Sequence, residues 1–281
     1  MTNPNLPALR ETADAFRALH VPGRPLVLPN VWDTASARIV EEAGAAAVAT
    51  TSAGVAWELG SADGDTLGRA RALGAVERIA AVVHVPVSAD VESGYAEDAA
   101  GVADTIRAVL AAGAVGVNIE DASHAEGGGE PLRPIAEQAE RIAAARAAAD
   151  EAGVPLFVNA RVDTFLRGVG KTEETLERAG AFLAAGADGV FVPGVVDPAT
   201  VRALAEGIEG PLNVMVGPGA PSVAELAALG VARISAGSGI AQAAHAVVRR
   251  AARELLDTGT YDSLAGGLDY AELNALMGAG R

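Results

Sequence analysis

Short, nearly continuous apolar runs alternate along this chain with longer stretches of helical periodicity. The runs lie near 26–30, 46–51, 87–91, 115–119, 155–160, 189–193, 212–216 and 231–236, and they are rich in Val and Ile, as strands buried on both faces are. Segments between them, such as Ala96–Ala112 and Ile135–Ala152, carry apolar or alanine positions at three- and four-residue spacing. In the second of these, Glu137, Glu140 and Arg141 are expected on the wet face. The junctions repeat: Ala43-Gly44-Ala45, Ala112-Gly113-Ala114, Ala185-Gly186-Ala187 and Leu229-Gly230-Val231 each close a helix-like stretch on glycine. Val85-Pro86-Val87, Val154-Pro155-Leu156 and Gly210-Pro211-Leu212 open apolar runs on proline, which suits the first residue of a strand.

Eight alternating βα units in 281 residues predict an α/β fold of (β/α)8 TIM-barrel type. No G-x-G-x-x-G follows a strand, which argues against an open dinucleotide-binding sheet. The expected organisation is one domain over 1–281, with the barrel at about 24–257 and a helical tail at about 258–281. A helix at about 8–20 precedes strand one. The tail from Tyr261 to Met277 is expected to be helical and to pack on a neighbouring subunit or on the barrel floor.

Composition narrows the chemistry. Half the residues are hydrophobic but only 4% are aromatic, so the core is built from small side chains at close approach. A formal charge of −15 with no Lys/Arg-rich run argues against nucleic-acid and anionic-membrane partners, though a bound cation could still make a pocket attractive to an anion. With no cysteine, thiol nucleophiles, thiolate zinc sites and disulfides are excluded. The start Met1-Thr2-Asn3-Pro4 has neither the basic nor the apolar part of a signal peptide, and no run is long enough to span a bilayer, so a cytoplasmic protein is expected.

Barrels of this type place chemistry at the C-terminal ends of their strands. Strand two ends in Thr50, Thr51 and Ser52, followed by a loop containing Glu58, Asp63 and Asp65. Strand three ends in Asp90 and Glu92, strand four in Asn118, Glu120 and Asp121, and strand five in Asn159, Arg161 and Asp163. Period-two spacing would send Asp90 and Glu92 to one face, with Glu120 level with them about 5 Å away on the next strand. Like charges so close call for a cation, and an all-oxygen set suits Mg2+ or Mn2+ rather than zinc. The bland alternative is a set of solvated acids capping the following helices, the role expected for Glu97 and Asp98 and, first, for Asp33. Arg161 could clamp a carboxylate or phosphonate through two parallel hydrogen bonds, or pair with Asp163 or Glu120. His20, His84, His245 and Asp188 are expected to be structural, which leaves His124 as the histidine on the reactive side.

In order and spacing, several motifs resemble the isocitrate lyase/phosphoenolpyruvate mutase superfamily. They are Leu28-Pro29-Asn30-Val31-Trp32-Asp33, Thr50-Thr51-Ser52-Ala53-Gly54, Leu59-Gly60-Ser61-Ala62-Asp63-Gly64, Ala89-Asp90-Val91-Glu92-Ser93-Gly94-Tyr95, Ile119-Glu120-Asp121 and Asn159-Ala160-Arg161-Val162-Asp163. The resemblance implies that Asp90 is the direct Mg2+ ligand, that Glu92 and Glu120 reach the ion largely through water, and that Asp63 lies on a gating loop. It implies a substrate-carboxylate pocket at Ser52, Ala53 and Gly54, with Arg161 as the substrate clamp and Asn159 beside it. Members make or break C–C or P–C bonds next to an α-keto or α-hydroxy acid through an enolate, and often exchange their eighth helix in dimers of dimers.

The chain departs from the family after strand four. The cysteine loop of the lyases is replaced by Asp121-Ala122-Ser123-His124-Ala125-Glu126-Gly127-Gly128-Gly129-Glu130, and the Lys-x-x-x-Pro-Lys-x-Asn loop of the mutases is missing. The three glycines predict a mobile segment from Ala122 to Arg133, and His124 becomes the candidate proton donor, with a solvated loop residue as the alternative. The expected function is a Mg2+-dependent lyase acting on a small anionic 2-oxo or 2-hydroxy carboxylic acid, in a homo-oligomer, by expectation a tetramer. Three alternatives stand beside it. One is a P–C bond enzyme of phosphonopyruvate hydrolase or phosphoenolpyruvate mutase type. Another is a phosphate-binding barrel using Gly217-Pro218-Gly219 and Ser235–Gly239, and the last is a degenerate, non-catalytic barrel.

Overall fold

In the computed structural model, which describes residues 6–123 and 131–279, nine parallel strands close into a barrel. They are β1 (Leu26–Leu28), β2 (Asn30–Val31), β3 (Val48–Thr50), β4 (Val87–Asp90), β5 (Gly116–Glu120), β6 (Phe157–Arg161), β7 (Gly189–Val192), β8 (Leu212–Met215) and β9 (Arg233–Ser235). The order β1-β9-β8-β7-β6-β5-β4-β3-β2 begins and ends on pieces of one strand, which closes the ring. Pro29 separates those pieces because it has no N–H for the ladder: Leu26–Leu28 pair with Arg233–Ser235, whereas Asn30 and Val31 pair with Ala49 and Thr50. The eight predicted strands are therefore present, the first of them broken.

Helices follow the strands. Ala99–Ala111, Ile135–Glu151 and Leu6–Ala18 lie close to their expected positions. Asp33 and Asp98 cap helices as the sequence predicts, Asp33 within a capping box with Ser36. Asp188 also proves structural, with Arg17 at 2.6 Å on one oxygen and the Val158 N–H at 2.8 Å on the other. The segment after strand two is not simply a loop, because Ser52–Glu58 is helical, with Thr51 as its N-cap. The core lies inside the barrel and between it and the helical ring, and the N-terminal helix adds Ala13 and Phe16 to it. His20 sits in that plug, stacked on Phe157 with ring centres 3.8 Å apart, and burial lowers its pKa to about 3.

One helical reading is overturned. Arg141 is buried, not on the wet face of Ile135–Glu151, and its guanidinium donates to the carbonyls of Ser93, Ala96 and Glu97. It thereby pins the segment after β4 to this helix.

The tail is helical in part. Only Asp262–Leu264 and Tyr270–Gly278 are helical, and Arg38 reaches the Leu276 carbonyl at 3.2 Å, so the tail docks on the helix Thr34–Glu42 of the ring. Among the described residues no helix is long and apolar enough to cross a membrane.

Candidate active site

The C-terminal ends of β4, β5 and β6 carry the carboxylates that the sequence singles out, but their arrangement differs from a row on one face. β4 stops at Asp90, and Glu92 follows it with φ +50. Asp90 is level with Asn118, while the Glu120 N–H donates to the Glu92 carbonyl at 2.9 Å. Regular strand register therefore ends at Asp90, two residues before Glu92. Asp65, Glu92 and Tyr95 are the non-glycine residues with positive φ among those described, and they hold one another. The Asp65 N–H and the Tyr95 hydroxyl, at 2.8 Å for the latter, both donate to the Glu92 carboxylate, while the Ser93 hydroxyl donates to Asp65. Unfavourable backbone that persists because its surroundings impose it is common where chemistry is done.

Arg161 lies at the centre. Its Nε and one terminal nitrogen donate to the two oxygens of Asp163 at 2.6 and 2.9 Å, and its other terminal nitrogen meets Glu120 at 2.6 Å. Both of the ion pairs considered from sequence are thus present together. Asp163 is itself tied down, because its N–H donates to Asp121, whose other oxygen accepts from Arg178 at 3.2 Å. A buried chain of charges runs from Glu120 outward to the helix Thr172–Ala184. Burial opposes the Arg161 charge, but Glu120, Asp163 and Asp90 outweigh it and hold the guanidinium more basic than usual. Burial also raises the carboxyls of Asp163, Asp121 (to about 7) and Glu92 (to about 7).

Asp90 is the exception in this network. Its Oδ2 accepts from the Ser52 N–H at 3.4 Å, but its Oδ1 is buried with no hydrogen-bond partner among the described residues. Burial pushes its carboxyl up to about 6, with Arg161 pulling down and Glu120 and Asp63 adding to the rise. An ionised, half-bonded carboxylate is costly to bury, and a cation on Oδ1 would satisfy it. Among the described residues, no three His, Asp or Glu side chains converge to grip an ion directly. The donor set fits an ion with one direct carboxylate and water completing its shell, as Mg2+ prefers.

A cavity of about 380 Å3 opens here, lined by Ser52, Asp63, Gly64, Glu92, Glu120, Arg161, Leu166 and Arg167. The structure therefore gathers Ser52, Asp63, Glu92, Glu120 and Arg161, with Asp90 bonded to Ser52. Ala53 and Gly54 follow in the first turn of Ser52–Glu58, where the Gly54 N–H faces Thr51 Oγ1 at 3.5 Å. A Cβ at Gly54 would come within 2.7 Å of Thr51 and 2.8 Å of Trp32, so this close approach needs glycine.

Asn159 sits among buried amides rather than on the cavity wall, donating to Asn118 at 2.9 Å and Asn213 at 3.1 Å. The same internal layer holds Arg233, wholly buried, with two guanidinium nitrogens unpartnered. His124, in the segment 124–130, lies outside the described residues. Sequence reasoning did not single out Arg167 or Arg178. The one available signal for Arg167 was its four-residue offset from Asp163, which places both on one helical face.

The phosphoenolpyruvate phosphomutase family matches residues 16–256. An uncharacterized protein of Mycobacterium tuberculosis H37Rv is 38% identical over 94% of this chain and 96% of its own length. The 2-methylisocitrate lyase of Escherichia coli K12 is 30% identical over 73% of this chain and 70% of its own. Among solved structures, a candidate lyase/mutase from Burkholderia cenocepacia J2315 superposes with TM-score 0.89 at 38% identity, covering 95% of each chain. A phosphonopyruvate hydrolase, captured with oxalate and Mg2+, superposes with TM-score 0.82 at 26% identity, again over 95% of each chain.

Proposed function

Because the chain belongs to the phosphoenolpyruvate phosphomutase family, whose relatives are lyases and mutases, we propose that it is a Mg2+-dependent lyase. On this reading it cleaves a C–C bond of a small anionic 2-oxo or 2-hydroxy acid. The observation that carries the reading is the buried, unpartnered Oδ1 of Asp90 at the barrel mouth, beside Arg161 and Glu120. Asp90 would hold the ion, with Glu92 and Glu120 contributing through water. When bound, the ion supplies positive charge for the enolate oxygen that develops as the bond breaks. Ser52, with the amides of Ala53 and Gly54, would seat the substrate carboxylate at the start of a helix. Arg161, fixed by Asp163, would present its charge without having to reorganise. Asp63 would close the cavity from the loop after strand two, and His124 is the candidate proton donor.

The test is a panel of 2-oxo and 2-hydroxy di- and tricarboxylates, with phosphonopyruvate included, assayed with Mg2+ and with chelator. Release of pyruvate or glyoxylate from a C–C substrate, abolished by chelator, is expected. Turnover of phosphonopyruvate alone would replace this reading with a P–C bond enzyme, and no turnover of any member would contradict both.

Assembly is a second expectation. Gly239–Asp257 buries only Ala241 among its side chains and exposes Val247, Val248, Leu255 and Leu256, the last 83% exposed. On β1 the central Val27 is 41% exposed, above a groove of about 500 Å3 lined by Leu19, Leu26, Val40 and Ala43. Apolar surface on both the helix and the groove calls for a partner, and a second copy supplies each with the other. Light scattering is expected to give a homo-oligomer, a tetramer if dimers pair through the exposed Tyr261, Leu264 and Tyr270 of the tail. A monomer at working concentration would contradict it.

A further inference from the structure

Two arginines line the cavity, and they are not equivalent. Arg161 has its three guanidinium nitrogens committed, two to Asp163 and one to Glu120. Arg167 stands at the other end of the short helix Thr164–Arg167, with its side chain 36% exposed. Its Nε is 3.8 Å from Asp163, too far for a hydrogen bond, and both oxygens of that carboxylate already accept from Arg161. Among the described residues, the Arg167 N–H donates to the Asp163 carbonyl at 2.8 Å, but its guanidinium makes no hydrogen bond. It is a cation facing the cavity with its planar donor fork unused.

The base of this arm is fixed. Gly194 follows β7 with φ +87, and a Cβ there would lie 2.7 Å from the Leu166 nitrogen and 2.8 Å from its Cα, so the short helix packs against bare backbone. Gly168 closes the helix at φ +66, and the hydroxyls of Thr164 and Thr175 share a hydrogen bond of 2.6 Å. Leu166, on the same wall, offers the apolar surface beside the guanidinium.

We propose that Arg167 is a specificity-determining residue that reads a second, distal acidic group of the substrate. The inference rests on the proposed function and deepens it. One end of the substrate would lie at Asp90, Arg161 and the Ser52 turn, and its far carboxylate or phosphonate would bond to Arg167. The enzyme would then select short-chain 2-oxo or 2-hydroxy acids with two anionic groups over their monoanionic analogues. A planar fork bonds such a group through two parallel hydrogen bonds, and a hydrogen bond to a charged group contributes about 1.5–3 kcal/mol.

The test is calorimetric binding of two probes in the presence of Mg2+: oxalate, too short to leave the first end, and 3,3-difluorooxaloacetate, which carries a distal carboxylate. Arg167→Met is expected to weaken 3,3-difluorooxaloacetate by about tenfold to a hundredfold and oxalate by less than about twofold. Arg167→Lys keeps the charge without the fork and should fall between parent and Met variant, with unchanged melting temperature in both. Equal affinity of parent and Met variant for 3,3-difluorooxaloacetate would overturn the inference, as would an equal loss for both probes. A parent that binds oxalate but not 3,3-difluorooxaloacetate would overturn it while leaving the proposed function standing. A parent that binds neither probe with Mg2+ would overturn the proposed function and the inference with it.

Discussion

Asp90→Asn is expected to reduce turnover by on the order of 10³-fold or more while leaving the protein folded and at least as heat-stable as the parent without metal. The activity loss follows from removing the direct ligand charge. A bound divalent ion contributes several kcal/mol of charge stabilisation in the transition state, and each 1.36 kcal/mol is about tenfold in rate. The stability effect has the opposite sign because Asp90 is a liability when the site holds no ion: its Oδ1 has no partner and burial raises its pKa from 3.8 to about 6. A raised carboxyl binds its proton more tightly folded than unfolded, so stability falls as pH rises between those two values and stays lower above them. Asn carries no charge, keeps an acceptor for the Ser52 N–H, and removes that penalty. Melting curves in chelator at pH 7.5, run beside steady-state rates in Mg2+, check both halves. A variant with near-parental turnover would show that Asp90 is not the ligand.

Arg161→Met is expected to fail in a different way, losing activity and stability together. Glu120 and Asp163, with side chains 4% and 0% exposed, would each lose the guanidinium that bonds them both. Breaking a buried pair by removing one partner costs about 3–5 kcal/mol. For a chain of this size that is a fall in melting temperature of about 10 °C. Arg161→Lys restores a charge but cannot bond Asp163 through two nitrogens, so it should recover much of the stability and little of the activity. Thermal melts of the three proteins, compared at equal metal, check the order. If Arg161→Met melts with the parent, the ion-pair chain from Glu120 to Arg178 does not brace the site.

The barrel was legible because strands buried on both faces and glycine-closed helices leave simple local signatures. Where the strands stop, those signatures stop too. Glu92 shows this: two residues after Asp90 it reads as a same-face neighbour, yet the strand ends at Asp90 and a positive φ carries Glu92 to Asp65 and Tyr95. Arg141 shows it on a helix. A charge at a wet position on the helical wheel is buried because the segment after β4 folds over it and supplies carbonyls at Ser93, Ala96 and Glu97. Asp90, Glu120 and Arg161 stood out because strand-end position and chemistry point to the same residues, whereas Asp63 stood out through the resemblance alone. Arg167 and Arg178 did not, because the place of Arg167 depends on Asp163 being already taken by Arg161, and that of Arg178 on a tertiary approach to Asp121.

The central claim is that Asp90 anchors a divalent ion at the mouth of this barrel. Calorimetric titration of Mg2+, and of Mn2+ as a tighter-binding probe, into the chelator-stripped protein tests it without needing the substrate. The account predicts one binding event per chain in the parent and none in Asp90→Asn over the same concentration range. No binding to the parent, or the same isotherm for parent and variant, would contradict it.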